Sequence, residues 1–360
     1  MEAFNTAVKS VGRDEKVDIY KGIGIICMMM GHIGFGGIID HSIHAFHMPM
    51  FFFISGYLFK EKPGQSAREW LKKKAGALLI PYLVFGLMHY VIWVFMQLYK
   101  QEPIGLEPLV RLFTINTTKL PIAGALWFLT ALFFTNLMFY ILHKYAKNTC
   151  LQVIFCVIIV AIGHIAVKFL PFRLPLALDA AMIGLGLFYI GYILKQNMNQ
   201  KLIYKLFHLP VWQGLILGAV VFLLIMVNED INMRTGQYTY IILFWVNAVL
   251  ASIVLYNAAA YLEMFFGKLK LFAWGTELLK GIGRHSIVYV CLNQIVIIVW
   301  QALLSGFERE EIAVSKIIVR LGVLVLSIVV LEILEKYLKI SRMGSLNKEL
   351  KQKGNGAIII

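Results

Sequence analysis

The sequence predicts an all-α protein, a polytopic bundle of about ten membrane-spanning helices with both termini in the cytoplasm. Hydrophobic residues make up 59% of the 360 residues and charged residues only 15%. A soluble domain is roughly half apolar and about a quarter charged. The apolar residues also occur in blocks of about 20, the length that crosses a bilayer as a helix. The composition therefore excludes a sizeable soluble domain.

The apolar blocks define the predicted spans in chain order. They cover residues 17–38, 42–59, 75–98, 122–142, 150–168, 176–194, 209–227, 238–262, 285–304 and 313–333. Several blocks contain glycine or proline, as at Pro49 and Pro81, which membrane helices tolerate. We expect one membrane domain over residues 1–334 and a polar cytoplasmic tail over 335–360.

The distribution of lysine and arginine sets the orientation. With a cytoplasmic N-terminus, 24 of these residues fall in inside segments and 7 in outside loops, the bias that cytoplasmic loops show. The net charge of +14 is spread over these short loops. It therefore indicates membrane topology and not a nucleic-acid partner.

The first span carries three ionisable residues, and such groups are costly in a membrane. Lys21 and His32 are eleven residues apart, which is three helical turns plus about 20°, so they share a face about 16 Å apart. Asp18 lies one turn before Lys21 and can pair with it. The alternative interpretation is that Lys21 reaches the cytoplasmic surface and His32 makes an interhelical hydrogen bond.

The second span combines histidines with an aromatic run. His41, His44 and His47 recur every three residues, near one face of a helix, but no fourth ligand accompanies them and we predict no metal site. The run that follows places small residues, Ser55 and Gly56, inside an aromatic helix. The alternative interpretation of that run is a packing motif.

Two further polar features have open interpretations. Asp179 either holds a hydroxyl of an acceptor or pairs with Arg173, Lys316 or Arg320, and we favour the pairing. The Gly-Ile-Gly stretch at 281–283 could present backbone N–H groups to phosphate, but a plain loop is favoured.

Several motifs resemble the membrane acyltransferase 3 family, and its fucose 4-O-acetylase-like branch in particular. They are His32 with a cation eleven residues earlier, His-Met-Pro-Met-Phe-Phe-Phe-Ile-Ser-Gly-Tyr at 47–57, Leu-Ile-Pro-Tyr at 79–82, Leu-Trp-Phe-Leu at 126–129, Asp179 with Gly191 and Tyr192, and Gly-Ile-Gly-Arg-His-Ser at 281–286. The resemblance covers nearly the whole chain in the expected order.

The resemblance implies an enzyme that moves an acyl group, usually acetyl, from cytoplasmic acyl-coenzyme A to a hydroxyl, often on a cell-surface carbohydrate. The donor is then a substrate, and no cofactor is bound permanently. The implied partners are acyl-coenzyme A, a carbohydrate acceptor and membrane lipid. The implied location is the plasma or inner membrane of a bacterium.

The resemblance also implies roles for individual residues. The catalytic set is His32 with Lys21 and Asp18. The implied donor- or substrate-binding residues are His47, Phe52, Phe53, Ser55, Gly56, Arg68, Lys73, Lys74, Trp127, Asp179 and Arg284. The chain departs from the family at Lys21, where arginine is usual, and at Asn293, where relatives often have histidine.

The chemistry of the residues agrees with these roles. A histidine can take the proton of an attacking hydroxyl or carry the acyl group itself, and both remain open. The first rival function is a transporter or a flippase of a sugar-linked substrate, which would favour glycine-broken helices in matching halves; that pairing is not evident. The second rival is a membrane scaffold, against which Lys21 and His32 argue.

Overall fold

The computed structural model describes residues 14–61, 63–118, 120–122, 124–266, 270–308 and 313–338. The helices are α1 (Glu15–Ile33), α2 (Gly37–Tyr57), α3 (Ala67–Lys100), α4 (Glu107–Phe113), α5 (Trp127–Tyr145), α6 (Thr149–Phe169), α7 (Leu178–Gln196), α8 (Lys201–Leu206), α9 (Val211–Val227), α10 (Ile241–Tyr261), α11 (Lys270–Arg284), α12 (Ser286–Leu304) and α13 (Ala313–Leu338). Short helical turns cover Pro175–Ala177, Leu262–Phe266 and Ser305–Phe307. A small hairpin pairs β1 (Ile231–Asn232) with β2 (Gln237–Tyr238).

The predicted all-α membrane fold is confirmed. A helix lies over each of the ten predicted blocks. In the part of the chain that the structure describes, six helices are long and apolar enough to cross a bilayer: Ala67–Lys100, Thr149–Phe169, Pro175–Gln196, Ile241–Phe265, Ser286–Phe307 and Val314–Tyr337. The total of ten spans and the cytoplasmic termini stay predictions. Residues 1–13 and 339–360 lie outside the described residues, and α13 carries the helix past residue 334, where the predicted tail begins.

The favoured loop at 281–283 is wrong, because α11 is a helix that includes Gly281 and Gly283. The helix buries Ile282 and Thr276 while it exposes Trp274 and Glu277. An amphipathic pattern of this kind is too polar for a membrane span, and none of the predicted spans covers it. Its glycine N–H groups belong to the helix, so the stretch is not a phosphate-binding loop.

Glycines set the closest helix contacts in the bundle. A Cβ on Gly56 of α2 would overlap the Phe188 carbonyl of α7, and one on Gly191 of α7 would overlap the Phe53 carbonyl of α2. In the same way α1 meets α11, where Gly22 faces the Leu279 carbonyl. Because glycine has no Cβ, these backbones approach one another directly.

The end of α1 is fixed by its cap. The helix stops at Ile33 because Gly34 takes a left-handed conformation, with φ of 79°, which suits glycine. The side-chain amide of Gln301 on α12 donates to the Ile33 carbonyl at 3.0 Å. His32 therefore lies in the last turn of α1, closer to the helix end than the predicted span of 17–38 implied.

Candidate functional site

His32 lies where α1, α12 and the loop before α5 meet. Its ring is half-buried, and neither ring nitrogen has a hydrogen-bond partner within the described residues. The point at which a Cβ on Gly124 would lie is 3.1 Å from His32 Cε1, 2.8 Å from Gln294 Oε1 and 3.4 Å from Arg234 Nη1. Three polar side chains thus pack against a glycine, where a Cβ would overlap Gln294 and crowd His32.

Arg234 reaches this point from the β1–β2 hairpin. Its Nε donates to the Thr117 carbonyl at 2.8 Å, and its backbone N–H donates to Asn232 Oδ1 at 3.0 Å. Within the described residues the Arg234 guanidinium has no carboxylate partner. Burial lowers the pKa of Arg234 from its ordinary value, since water solvates the charged guanidinium less well there.

A buried ion pair holds the hairpin in place. Arg173 donates from Nε and Nη2 to the two Asp179 carboxylate oxygens at 2.6 and 2.9 Å. Its Nη1 donates to the Arg234 carbonyl at 2.7 Å. The Asp179 carboxylate also accepts the N–H groups of Leu174 and Ala180.

The favoured pairing of Asp179 is therefore present, with Arg173 as its partner. Four donors occupy the Asp179 carboxylate, which is only 1% exposed. Asp179 is thus linked through Arg173 to the hairpin that carries Arg234. Its predicted contact with an acceptor stays a prediction.

Strained backbone borders the site on two sides. Leu176 and Ala177, just before α7, have φ of 53° and 57°, and Ile122, two residues before Gly124, has φ of 62°. Residues other than glycine rarely adopt positive φ, and β-branched residues such as isoleucine do so least often. The Leu176 N–H donates to the Thr114 carbonyl at 2.7 Å, which ties these loops together. Such strain persists where the surroundings enforce it, often at functional sites.

The α2 histidines are each engaged by a backbone carbonyl. His44 Nδ1 donates to the Asp40 carbonyl at 2.6 Å, and His47 Nδ1 donates to the Ile43 carbonyl at 2.7 Å. His41 Nε2 donates to the Ile225 carbonyl at 2.9 Å. The His44 ring lies beside the end of α1, since its Cε1 is 3.5 Å from the Cβ position of Gly31, the residue before His32.

The other end of α1 carries an ion cluster. Lys21 Nζ lies 3.3 Å from Asp18 Oδ1, as the sequence predicted, and Arg284 Nε of α11 lies 3.5 Å from Asp18 Oδ2. The Asp18 side chain is 2% exposed. The structure thus brings together three of the predicted site residues, from two helices.

The predicted aromatic motif of α2 lies in helix packing. Phe52 and Phe53 are fully buried, and Phe52 contacts Gly184 of α7 and the Phe128 ring of α5. The Ser55 hydroxyl donates to the Phe51 carbonyl at 2.7 Å. These contacts agree with the alternative of a packing motif; a role in substrate binding stays a prediction.

The remaining predicted residues are spread over the bundle. Arg68 and Lys73 are exposed near the start of α3, whereas Lys74 turns inward and donates to Asn136 Oδ1 at 2.6 Å. Trp127 is buried at the start of α5. The structure does not gather the three cations around one point.

Sequence reasoning missed Arg234, Gln294 and Gly124 as members of the site. Gln294 was visible as a polar residue in an apolar block, beside Asn293. In the sequence, Arg234 is one of the cations in the predicted outside loops, and nothing distinguishes Gly124 from other glycines. Only the folded chain brings these three segments to His32.

A family model described as an acyltransferase domain (Acyl_transf_3) matches residues 14–334. No significant match was found among curated proteins or among solved structures.

Proposed function

The chain belongs to the acyltransferase 3 family and is a multi-pass membrane acyltransferase, and on that premise we propose that it moves an acetyl group from acetyl-coenzyme A to a hydroxyl of a cell-envelope carbohydrate. One observation supports this most. At one end, helix α1 carries an imidazole without a hydrogen-bond partner among the described residues, and near its other end Lys21 joins Arg284 of α11 at Asp18. The proposed membrane is the plasma or inner membrane of a bacterium.

The cation cluster suits the phosphate end of the donor. Coenzyme A has its phosphates at one end and its thioester at the end of a long flexible arm. Lys21 and Arg284 both lie within 3.5 Å of the Asp18 carboxylate, so the cluster offers two cations to a phosphate. Lysine holds a phosphate as a point charge, and arginine does so with a fork of donors.

The spacing suits a donor that bridges both ends of the helix. Eleven residues at about 1.5 Å each place His32 about 16 Å along the axis from Lys21. A donor anchored by its phosphates at Lys21 then extends its thioester toward His32. In this arrangement, Lys21 binds the donor at one end of α1 and His32 performs the chemistry at the other.

His32 supplies the proton transfer. As the acceptor oxygen attacks the thioester carbonyl carbon, the imidazole takes the hydroxyl proton. The carbon–sulfur bond then breaks, and the coenzyme A thiolate leaves and receives that proton. The products are an ester and free coenzyme A. Transient transfer of the acyl group to His32 itself is the alternative route.

Chemical analysis of the cell surface tests the proposal. Surface glycans of cells that make the protein should contain alkali-labile O-acetyl groups that cells lacking it do not. Inverted membrane vesicles should transfer labelled acetyl from acetyl-coenzyme A to the same glycan. Identical glycans in both cells, together with no transfer in vesicles, would reject the proposed reaction.

A further inference from the structure

We infer that Arg234 is a catalytic residue that stabilises the oxyanion formed when the acceptor attacks the thioester. This inference rests on the proposed function and adds a residue to it. It assigns the reacting carbonyl to a position between the His32 ring and the Arg234 guanidinium, which both pack against Gly124.

The position of Arg234 is the first support. His32 Cε1 and Arg234 Nη1 lie 3.1 and 3.4 Å from one point, the Cβ position of Gly124. His32 and Arg234 are therefore close enough for one to hold the acceptor hydroxyl while the other reaches the oxygen of the thioester carbonyl. A side chain at position 124 would overlap Gln294 Oε1, which lies 2.8 Å from the Cβ position, so a glycine lets these polar groups come together.

The charge of Arg234 is the second support. Arg173, its neighbour in the same network, is neutralised by Asp179, whereas Arg234 has no carboxylate partner in the described ranges. Burying a charge without a partner is costly. A guanidinium without a carboxylate partner can stabilise a negative charge that appears only during the reaction. A donor placed in advance is most effective in that role.

The rigidity of Arg234 is the third support. Its Nε is bonded to the Thr117 carbonyl, and its own carbonyl accepts a hydrogen bond from Arg173. Gly236 makes the turn possible, with φ of 78°, and a side chain there would meet the Arg173 guanidinium at 2.8 Å. A donor fixed before the reaction needs no reorganisation when the charge develops.

The step balances without any further reactant. The acceptor oxygen bonds to the carbonyl carbon while its proton passes to His32, and the carbonyl electron pair moves to oxygen as the oxyanion. Arg234 donates hydrogen bonds to that oxygen and keeps its protons. The electron pair then returns as the carbon–sulfur bond breaks, and the thiolate leaves with the proton from His32.

The test compares Arg234→Gln with wild type in vesicles supplied with labelled acetyl-coenzyme A. Removing one oxyanion donor typically costs about 10²–10³ in turnover, so we expect a loss of that size with a nearly unchanged KM for acetyl-coenzyme A. Arg234→Lys should retain part of the activity, because its charge remains without the fork. Arg111→Gln, which removes a cation paired with Glu107 on the same predicted side, should match wild type.

A second measurement separates the oxyanion from the acceptor. Hydrolysis of acetyl-coenzyme A by purified protein without acceptor passes through the same oxyanion, so Arg234→Gln should slow it by a similar factor. Unchanged hydrolysis, unchanged transfer, or a loss confined to KM would each overturn the inference. Where Arg234→Gln accumulates poorly, Arg234→Lys decides, and wild-type turnover in it would overturn the inference. If wild type transfers no acetyl group at all, the proposed function fails first.

Discussion

Replacing His32 by alanine separates catalysis from folding. The His32 ring is half-buried and has no hydrogen-bond partner in the described part of the chain, so its removal strands no buried polar group. We therefore expect normal membrane insertion and abundance. Loss of the proton acceptor should lower transfer by about 10²–10⁴, equivalent to about 2.7–5.4 kcal/mol in the activation barrier.

The assay is transfer of labelled acetyl in vesicles, normalised to the amount of protein. His32→Gln keeps the polarity and approximate size of the side chain but takes no proton at neutral pH, so it should fail equally. His164→Gln is the control, because that ring has a partner of its own and accepts a hydrogen bond from Trp245 at 3.2 Å. His89→Gln, which matches no motif, should also stay active.

Two results would refute this reasoning. Full transfer by well-expressed His32→Ala would remove the imidazole from the mechanism and favour the transporter or flippase again. Low abundance with wild-type turnover per molecule would make His32 a structural residue.

Four further predictions address topology, the donor and the scaffold. A reporter inserted near Arg68 should read cytoplasmic and one near Asp230 external; an external signal at Arg68 would reverse the proposed donor side. Lys21→Ala should weaken binding of acetyl-coenzyme A in a titration at low salt, where charges are least screened, whereas Lys21→Arg should bind like wild type; equal binding by the alanine variant would make Lys21 a surface anchor. Gly56→Val should lower the thermal midpoint in detergent by the equivalent of about 1–3 kcal/mol or more, because its Cβ overlaps the Phe188 carbonyl; a wild-type midpoint would contradict that contact. Asp179→Asn should lower the free energy of unfolding by about 3–5 kcal/mol, because it leaves Arg173 unpaired. An unchanged melting curve would show that the pair is not buried.

The helices were predictable because each apolar block satisfies its own backbone hydrogen bonds within the membrane. Amphipathic α11 and the small hairpin were not, since neither forms an apolar block of sufficient length. The pair Asp18 and Lys21 was predictable because both lie on one helix, one turn apart. Arg284 joined them only through the packing of α11 on α1.

The half of the site around His32 depends on contacts distant in sequence. Gly124, Arg234 and Gln294 come from three segments, and no periodicity connects them to His32. The sequence predicts the Asp179–Arg173 pair as one of three possible pairings. It does not predict the hydrogen bond from Arg173 to the hairpin. Sequence motifs identify functional residues that lie on one helix. They do not identify residues that separate segments bring together in the folded chain.

Helix α1 alone sets the distance between Lys21 and His32, because both residues lie on it. Adding one residue between Lys21 and His32 would turn the imidazole by about 100° and move it by about 1.5 Å, away from Gly124. Loops elsewhere can gain or lose residues without changing this distance. The distance that the proposed donor must bridge is therefore fixed within a single helix, and repacking of the neighbouring helices cannot restore it after an insertion there.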